Sequence, residues 1–464
     1  CIYYKCLETL TLFYVQGSMH NYKAFIIYFT LLTFKCYYSD SAYISPTDST
    51  FISPKELQLI EQTLKWPAPP TSVTAVNQST SPYTSSYIFQ NPRTSYSVGD
   101  IISVVITARD GLNNSKVYGG DFFQAKLFNT ELKASVYGEV VDHLNGTYTA
   151  NFKLLWAGQA TVAIRLIHSS EAVEEKVVCN AQRSERLLKA SHCCCEYRHP
   201  ITGESWICRR PNHLPCMNVT CVPGLDTPSP AGFYLHDNWT SLMCHTQSFH
   251  TIKQTVACLK DKQVLMMGDS TLRQWYEYLL KTVPSMSYMQ NITEKAMLKK
   301  ILIHSLDTAN NIRLVWRAHG LPIRTSLTPR ADLHYIASEV DALAGGQHSV
   351  VVFTIWAHFT TFPLATYLQR LAGIRRSVLA LLQRAPQTLV LIKSANTGYK
   401  DIYGSDWLSW QLDCALRVMF RELPVVIIDV WQMTSCHYLP DDIHPSYKVI
   451  KNEVDLFLSF VCPR

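Results

Sequence analysis

Continuous apolar runs alternate with amphipathic segments from about residue 259 to the C-terminus. The runs are QVLMMG, NIRLVW, SVVVFTIW, TLVLIKSA and PVVIIDVW. Between them lie the helical patterns TLRQWYEYLL, ADLHYIASEVDAL, ATYLQRLAGIRRSVLALLQRA and SDWLSWQLDCALRVMFRE, with a last helix over about residues 446–460. Apolar runs that alternate with helices are typical of strands buried on both faces. We therefore predict a three-layer α/β domain over residues 259–464, with a five-stranded parallel sheet.

The front half has a different rhythm. Segments such as DIISVVITARD, FFQAKLFN, NGTYTANFKLLW and QATVAIRLI carry a β-strand pattern, and Gly and Asn turns separate them at hairpin spacing. Asn145-Gly146, between two such segments, is a strong signal for a hairpin turn. We predict an antiparallel β-sandwich of immunoglobulin-like architecture over residues 71–178, although the Cys…Trp…Cys pattern of immunoglobulin domains is absent.

Two segments precede this sandwich. Residues 39–70 carry Ser, Thr and Pro, including WPAPP, and read as a linker. Residues 1–38 form a leader region in which a lysine precedes eleven largely apolar residues, 24–34. This segment is the size of a signal-peptide core and is short for a bilayer span. A cleaved signal is the favoured interpretation, and a buried strand, a buried helix or a short signal anchor are the alternatives.

The cysteines and the sequons point to the same compartment. Nine of the 15 cysteines fall within residues 179–258, a segment with few regular apolar periods, which we interpret as a disulfide-stapled connector. Zinc is the weaker alternative, because no paired C-x-x-C or H-x-x-x-H spacing occurs. Six Asn-x-Ser/Thr sequons precede residue 300, at Asn77, Asn113, Asn145, Asn218, Asn238 and Asn291. We expect a secreted protein or one of the Golgi or ER lumen.

Composition and the distribution of apolar residues argue against three other classes of protein. Hydrophobic residues make up 47% of the chain and charged residues 17%, which describes globular rather than disordered protein. The net charge of +6 is small for 464 residues, and no basic stripe with interleaved aromatic residues occurs, so we expect no nucleic-acid partner. No segment after the leader is apolar enough for a membrane span, so we expect no transmembrane bundle.

Candidate chemistry begins at Ser270, in LMMGDSTLRQW, directly after the first strand of the α/β domain. Ligands of such domains bind beyond the carboxyl ends of the strands. Ser270 has two competing interpretations. In the first, either Asp269 or Ser270 is a simple N-cap of the following helix; in the second, Ser270 is an activated nucleophile. The second interpretation requires a base and a group that orients the base.

A candidate base and a candidate orienting group both occur after the fifth predicted strand, in YLPDDIHPSYKVI. Asp441 and His444 are three residues apart, so the carboxylate could contact one imidazole nitrogen while the other faces Ser270. Since each motif follows a strand of the same predicted sheet, we favour a Ser270, His444 and Asp441 triad over unconnected loop residues. His437 lacks the matching spacing and is a weaker base. Trp275, Trp407 and Trp410 could stack on sugar rings, but core packing is the better interpretation.

The two motifs resemble those of the GDSL/SGNH esterase superfamily. The longer form GDSTLRQW is similar to the GDSxxRQ block of its PC-esterase branch, whose usual substrates are glycan O-acyl groups. With the β-rich front half and the Cys-rich middle, nearly the whole chain after the leader resembles the neurexophilin and PC-esterase domain family. The resemblance implies cell-surface or extracellular binding by the front half and acyl transfer or hydrolysis on a sugar hydroxyl by the C-terminal half.

The resemblance also implies an oxyanion hole, which this chain matches in part. The Ser270 amide at a helix N-terminus is the first candidate donor, and Gly320 in WRAHGLP could be the second. The G-x-N-D block of the superfamily is absent. WAHFT stands in its place, so His358 is at best a substitute for the asparagine. Arg273 either stabilises charge at the site or is an ordinary exposed or structural cation.

Two hypotheses from different classes follow. The first is a serine-dependent O-acyltransferase or esterase, most simply an O-acetyl enzyme, which acts on a glycan or glycoprotein; sialylated mucin-type glycans are suggested by the resemblance alone. It would hold no bound cofactor or metal, and a transferase would require an acyl donor such as acetyl-CoA. The second is a catalytically inactive secreted ligand that binds a cell-surface receptor through the sandwich.

Overall fold

The structure is a computed structural model. It describes residues 52–67, 69–70, 75–172, 220–225, 227–288, 302–323, 333–398 and 404–463, together with two short strands, β7 (Glu196–Arg198) and β8 (Ser205–Ile207), which pair antiparallel. The predicted leader, and most of the predicted Cys-rich connector, lie outside the described residues. The described part belongs to one compact unit, Thr50–Arg464.

Part of the predicted linker is a helix, α1 (Pro54–Thr63). The Ser53 side chain accepts a hydrogen bond from the Glu56 amide, and Glu56 reaches back to the Ser53 amide, which forms a capping box. Pro54 at the first helical position needs no amide partner. These local signals favour a helix start more strongly than the surrounding Ser, Thr and Pro residues favour an open linker.

The front half forms an eight-stranded antiparallel sheet. Six strands lie in the order β1-β2-β5-β4-β3-β6, and β4 also pairs with β9, which pairs with β10. Their bounds are β1 (Ser86–Phe89), β2 (Ile101–Thr107), β3 (Phe122–Asn129), β4 (Ala134–Asp142), β5 (Thr147–Lys153), β6 (Thr161–His168), β9 (Gly232–Leu235) and β10 (Asn238–Ser241). Short 3₁₀ turns lie at Val76–Gln78 and Ser170–Ala172.

Strand β4 connects two groups of strands in this half. Its first half, from Ala134 to Gly138, pairs with β3, and its second half, from Glu139 to Asp142, pairs with β5 across the predicted Asn145-Gly146 turn. Buried residues of both groups, such as Val104, Phe123 and Phe152, share one core. The half is therefore antiparallel β, as predicted, but the immunoglobulin-like sandwich is not established. Its strands β9 and β10 come from the segment that was predicted to be a connector.

The C-terminal half contains a seven-stranded mixed sheet in the order β12-β13-β14-β11-β15-β16-β17. The strands are β11 (Gln263–Gly268), β12 (Ser287–Tyr288), β13 (Leu302–Asp307), β14 (Ile312–Ala318), β15 (Ser349–Phe353), β16 (Leu389–Lys393) and β17 (Val426–Ile428). The helices are α2 (Ile252–Leu259), α3 (Ser270–Thr282), α4 (Ile336–Asp341), α5 (Leu364–Arg384), α6 (Asp406–Phe420), α7 (Val430–Cys436) and α8 (Tyr447–Val461).

This sheet is larger than the five-stranded parallel sheet that the sequence predicted. Strands β14, β11, β15, β16 and β17 pair in parallel, whereas β12 and β13 add an antiparallel edge. Strand β13 alternates intermediate and buried residues and joins β14 through a short turn at Asn310 and Asn311. The apolar run PVVIIDVW contains only a three-residue strand, because Asp429 caps the next helix and ends the run.

Helices cover both faces of the sheet. One core contains buried residues of α3, α8 and the adjoining sheet face, and a second contains residues of α5, α6 and the other face. Near the two ends of this domain, Cys258 forms a disulfide with Cys462, and Cys221 pairs with Cys244. Cys414 and Cys436 are buried thiols.

The β-rich half packs against the α/β half through aromatic side chains. Trp407 of α6 lies with its ring centroid 4.6 Å from Trp66, 5.5 Å from Phe122 and 5.4 Å from the stacked His168 ring. Trp407 is 5% exposed, so it belongs to the core rather than to a sugar-stacking surface. Within the described residues, no helix combines the length and the apolar character that a bilayer crossing requires.

Candidate active site

Ser270 is the first residue of α3, at the carboxyl end of β11. The cap of this helix is Asp269, whose Oδ1 accepts hydrogen bonds from the Thr271 amide (2.9 Å) and the Thr271 hydroxyl (2.7 Å). Gly268 keeps the turn tight, since a Cβ there would lie 2.7 Å from the Thr354 side chain. Because Asp269 satisfies the helix end, the Ser270 hydroxyl is available for another contact.

That contact is His444. Its Nε2 lies 2.7 Å from Ser270 Oγ, across 174 residues of sequence. The His444 amide donates to Asp442 Oδ1 at 3.0 Å, which closes a local turn in the loop between α7 and α8. The two segments that the sequence placed at the same edge of the sheet thus meet within hydrogen-bond distance.

Side chains from two other elements hold the loop on either side of His444. Asn396, in the loop after β16, donates from Nδ2 to the Ile443 carbonyl at 2.8 Å. Gln274, one turn into α3, donates to the Pro445 carbonyl at 3.4 Å. Gln274 belongs to the GDSTLRQW motif, so the same helix presents the serine and a side chain that contacts the histidine loop.

Asp441 has a different partner from the one that the spacing predicts. Its Oδ2 forms an ion pair with Nη1 of Arg165, which lies on β6 of the β-rich half. Its Oδ1 is buried and has no hydrogen-bond partner among the described residues. No hydrogen bond joins the Asp441 carboxylate to His444, although both residues are described. The predicted contact between the Asp441 carboxylate and His444 is therefore not formed in this conformation. Asp441 Oδ1 is free of other hydrogen bonds among the described residues and is suited to that contact.

Asp269, which precedes Ser270, lies near a largely buried group of polar side chains that includes His319 and His358. Asp269 Oδ2 accepts a 3.4 Å hydrogen bond from the Ala357 amide, and His358 Nδ1 lies 3.1 Å from His319 Nε2. Burial alone would raise the pKa of Asp269, but the charge of His358 and the bond from Thr271 hold it below its ordinary value. Burial, reinforced by His358, lowers the pKa of His319 to about 3, so His319 is neutral at physiological pH.

The other oxyanion candidates occupy distinct positions. Gly320 follows β14, whose Ala318 pairs with Gly268, so Gly320 lies at the same sheet edge as Ser270. It has a φ of +81°, and a Cβ there would lie 2.7 Å from the Tyr335 ring, so glycine is required. Arg273 contacts Glu277 at 3.2 Å and lies over the Trp316 ring, which are the contacts of a structural cation.

A second series of buried polar groups contacts α3 at Thr271 and Trp275. Trp275 Nε1 donates to Glu453 Oε2 of α8 at 2.6 Å, and the Lys393 ammonium lies 5.8 Å from the centroid of the Trp275 ring. Lys393 also donates to Asn396 and, at 3.4 Å, to the Thr271 hydroxyl. Burial lowers the pKa of Lys393 and raises that of Glu453. Trp275 is therefore a core residue and not a sugar-stacking platform.

The remaining candidates are not part of this cluster. His437 is buried beside Tyr234, and its Nδ1 accepts from the Leu439 amide, so it is not a base for Ser270. The described sequon asparagines are all exposed; they are Asn77, Asn113, Asn145 and Asn238, while Asn218 and Asn291 lie outside the described residues. Across the described ranges, no group of three or more His, Cys, Asp or Glu side chains could hold a metal ion.

Sequence reasoning missed the residues that support the site. Gln274 could have been found, because it is part of the quoted motif and shares a helix with Ser270. Asn396 follows a predicted strand at the correct end of the sheet, which is also a usable signal. No sequence signal identifies Arg165, because it lies on a strand of the β-rich half, 276 residues from Asp441.

Two protein-family models match the chain. Neurexophilin matches residues 71–190, and the NXPE family member 4-like, C-terminal domain matches residues 239–462. The chain belongs to the neurexophilin and PC-esterase domain family. Its C-terminal domain is thus of the SGNH-like type found in esterases and acyltransferases, and its front half is related to secreted ligands. The neurexophilin match is consistent with a secreted or luminal location.

Proposed function

We propose that the protein is a serine-dependent O-acyl enzyme of the secretory pathway that uses Ser270 as nucleophile and His444 as base. The observation that carries this proposal is the 2.7 Å contact between His444 Nε2 and Ser270 Oγ at the N-terminus of a 13-residue helix. A nucleophile and a base must lie within hydrogen-bond reach, and the aligned peptide dipoles of a helix favour negative charge at its N-terminus.

In the first step, the Ser270 Oγ–H proton passes to His444 Nε2 as Oγ bonds to the acyl carbonyl carbon. The Ser270 and Gly320 amides are our candidates for donors to the oxyanion, with His358 as a further candidate from the third strand loop. The tetrahedral intermediate collapses as the bond from the acyl carbon to the leaving atom breaks, and an acyl-Ser270 ester remains. His444 returns the proton to that leaving atom, which is the alkoxide oxygen of an O-acyl ester or the thiolate sulfur of acetyl-CoA. In the second step, His444 takes the proton of the acceptor hydroxyl as the acceptor oxygen bonds to the acyl carbon. The bond between that carbon and Ser270 Oγ then breaks, and His444 returns the proton to Oγ.

The acceptor decides between two reactions. A sugar hydroxyl as acceptor gives transfer, and water gives hydrolysis, so both share the same acyl-enzyme. We propose a glycan or glycoprotein substrate and an acetyl group, with acetyl-CoA as a candidate donor for the transferase, on the strength of family membership. Sialylated mucin-type glycans are the first acceptors to test.

A fluorophosphonate probe tests the proposal directly. Wild-type full-length protein is expected to be labelled, Ser270→Ala is expected not to be labelled, and His444→Ala should react at least about 100-fold more slowly because the base is missing. Ser97→Ala, at an exposed serine of the β-rich half, is the matched control and should react as the wild type does. Unchanged labelling of a folded Ser270→Ala variant would refute the proposal.

Mass spectrometry separates transferase from esterase. Incubation with acetyl-CoA and sialylated glycans should add acetyl groups to the glycan in a Ser270-dependent reaction if the protein is a transferase. Loss of acetyl groups from O-acetylated glycans, with no gain in the first experiment, would identify an esterase.

One observation favours the alternative of a secreted ligand. Strand β1 is a sheet edge that pairs only with β2 among the described strands, and Tyr87, Ile88 and Phe89 are all exposed on it. Exposed apolar edge strands commonly mark interaction surfaces. A ligand without catalysis would give well-folded wild-type protein that the fluorophosphonate does not label.

A further inference from the structure

The carboxylate of the D-x-x-H motif is held by the β-rich half and not by its own domain. Arg165 of β6 pairs with Asp441 Oδ2, and the Asp441 side chain is 2% exposed while that of Arg165 is 33% exposed. A buried carboxylate without a cation or hydrogen-bond donors is strongly disfavoured, so Asp441 depends on this partner.

A second cation of the β-rich half also acts on Asp441. The charge of Asp441 raises the pKa of Lys126, although burial, the larger effect, leaves that pKa below its ordinary value. Lys126 lies on β3 and donates from Nζ to the His437 carbonyl at 2.6 Å, at the start of the loop that carries Asp441 and His444. Strands β3 and β6 thus place two cations beside the histidine loop.

The neighbouring loop of the α/β domain is held in the same way. Gln124 of β3 donates to Asp406 Oδ2 at 3.1 Å, and Asp406 Oδ1 accepts from the Gly398 amide at 2.7 Å. The same loop, after β16, carries Asn396, which holds Ile443. The loop after β16 and the loop between α7 and α8 are therefore both held by side chains of the β-rich half.

We propose that Arg165 is a positioning residue of the active site, so that the β-rich half completes the catalytic unit. Arg165 holds Asp441 Oδ2 and leaves Oδ1, which is buried and unpartnered, to accept the Nδ1–H of His444 when the acyl donor is bound. This inference rests on the proposed function, because it gives Asp441 the task of orienting His444.

A double-mutant cycle distinguishes positioning from a purely structural ion pair. If Arg165 acts through Asp441, the effects of the two substitutions on the labelling rate are non-additive in free energy. If the two substitutions act independently, the factors by which they lower the rate multiply. The variants of the full-length chain are Arg165→Met, Arg165→Lys, Asp441→Asn and the Arg165→Met/Asp441→Asn double variant. Arg93→Met is the matched control, because Arg93 forms an exposed ion pair with Asp100 in the same half.

The readout is fluorophosphonate labelling, resolved into the maximal rate and the probe concentration at half-maximal rate. Arg165→Met is expected to lower the maximal rate about 10- to 100-fold and to leave the half-saturating concentration unchanged, since loop misplacement affects chemistry more than binding. Arg165→Lys should recover most of the rate. In the Asp441→Asn background, Arg165→Met should have less than about a twofold further effect.

Three results would overturn the inference. They are a wild-type rate for Arg165→Met, a wild-type rate for Asp441→Asn, and a full multiplicative effect of Arg165→Met in the Asp441→Asn background. Thermal unfolding of each variant shows whether it is folded, and Arg165→Lys carries the comparison if Arg165→Met is not. Labelling that persists in Ser270→Ala would instead refute the proposed function, so the two failures are distinguishable.

Discussion

Asn396 connects the buried ammonium of Lys393 to the loop of the proposed base. Its Oδ1 accepts from Lys393 Nζ, and its Nδ2 donates to the Ile443 carbonyl at 2.8 Å. Asn396 is fully buried, so water cannot replace either partner readily. Asn396→Ala removes both hydrogen bonds.

The expected loss of stability follows from these two contacts. A buried polar group that loses its partner costs about 1–3 kcal/mol. Lys393 retains the Thr271 hydroxyl at 3.4 Å and the Ser394 carbonyl at 3.5 Å, so its charge is not left without partners. We expect Asn396→Ala to lower the free energy of unfolding by about 2–4 kcal/mol in urea titrations of the full-length chain. Labelling by the fluorophosphonate should slow at least about tenfold, because His444 loses one of its loop supports.

Two further variants sharpen this test. Asn396→Asp keeps an oxygen for Lys393 but has no donor for Ile443, so it should lose less stability than Asn396→Ala while its labelling slows by a similar factor. Asn129→Ala likewise removes two side-chain hydrogen bonds, one that Oδ1 accepts from the Leu132 amide and one that Nδ2 donates to the Gln159 carbonyl. Asn129 is partly exposed, so water can replace both partners. This substitution should cost less than about 1 kcal/mol. Equal stability losses in Asn396→Ala and Asn129→Ala, or wild-type labelling of both Asn396 variants, would refute the reasoning.

Three other outcomes are expected. Gln274→Ala should slow fluorophosphonate labelling several-fold with little change in urea midpoint, because its contact with the Pro445 carbonyl is long at 3.4 Å; an unchanged rate would show that this contact does not support His444. Trp407→Ala should lower the free energy of unfolding by about 3–5 kcal/mol, since a large buried side chain between the two halves is lost; a urea midpoint like that of the wild type would contradict this. Burial lowers the pKa of His437 from its ordinary value of 6.5 to about 4 in the folded chain. Between about pH 6.5 and pH 4 the unfolded chain therefore binds a proton that the folded chain does not, so the free energy of unfolding decreases as the pH falls through this range. His437→Gln should make that part of the stability profile shallower in urea titrations at several pH values, and an identical slope would contradict the assignment.

The sequence predicted the parts of the α/β half that depend on local pattern. Strands such as SVVVF and helices such as Leu364–Arg384 are long or strongly apolar, and their types follow from periodicity. Strand β13 was missed because its sequence, LIHSLD, carries His304 and Ser305 within a half-buried strand, and such a short alternation is a weak signal.

The candidate site was predictable where chemistry and topology coincide. Ser270 directly follows β11, whereas His444 lies in the loop after α7, the helix that follows β17. Parallel strands bring their carboxyl ends to one edge, so the order of the elements places both segments near that edge. The partner of Asp441 was not predictable, because spacing along a loop does not reveal which surface of another half packs against it. Asp269 rather than Ser270 caps α3, a choice between adjacent residues that depends on side-chain geometry and not on sequence pattern.

The Cys258–Cys462 disulfide joins the two ends of the α/β half. The two Cα atoms are 5.6 Å apart, yet 204 positions of sequence separate them. The chain enters and leaves this half at nearly one point, as an inserted domain does. New termini could therefore be opened in the exposed turn at Gln347 and His348, with the ends of this half joined by a few residues. The permuted chain is expected to bring Ser270 and His444 to the same edge of the sheet.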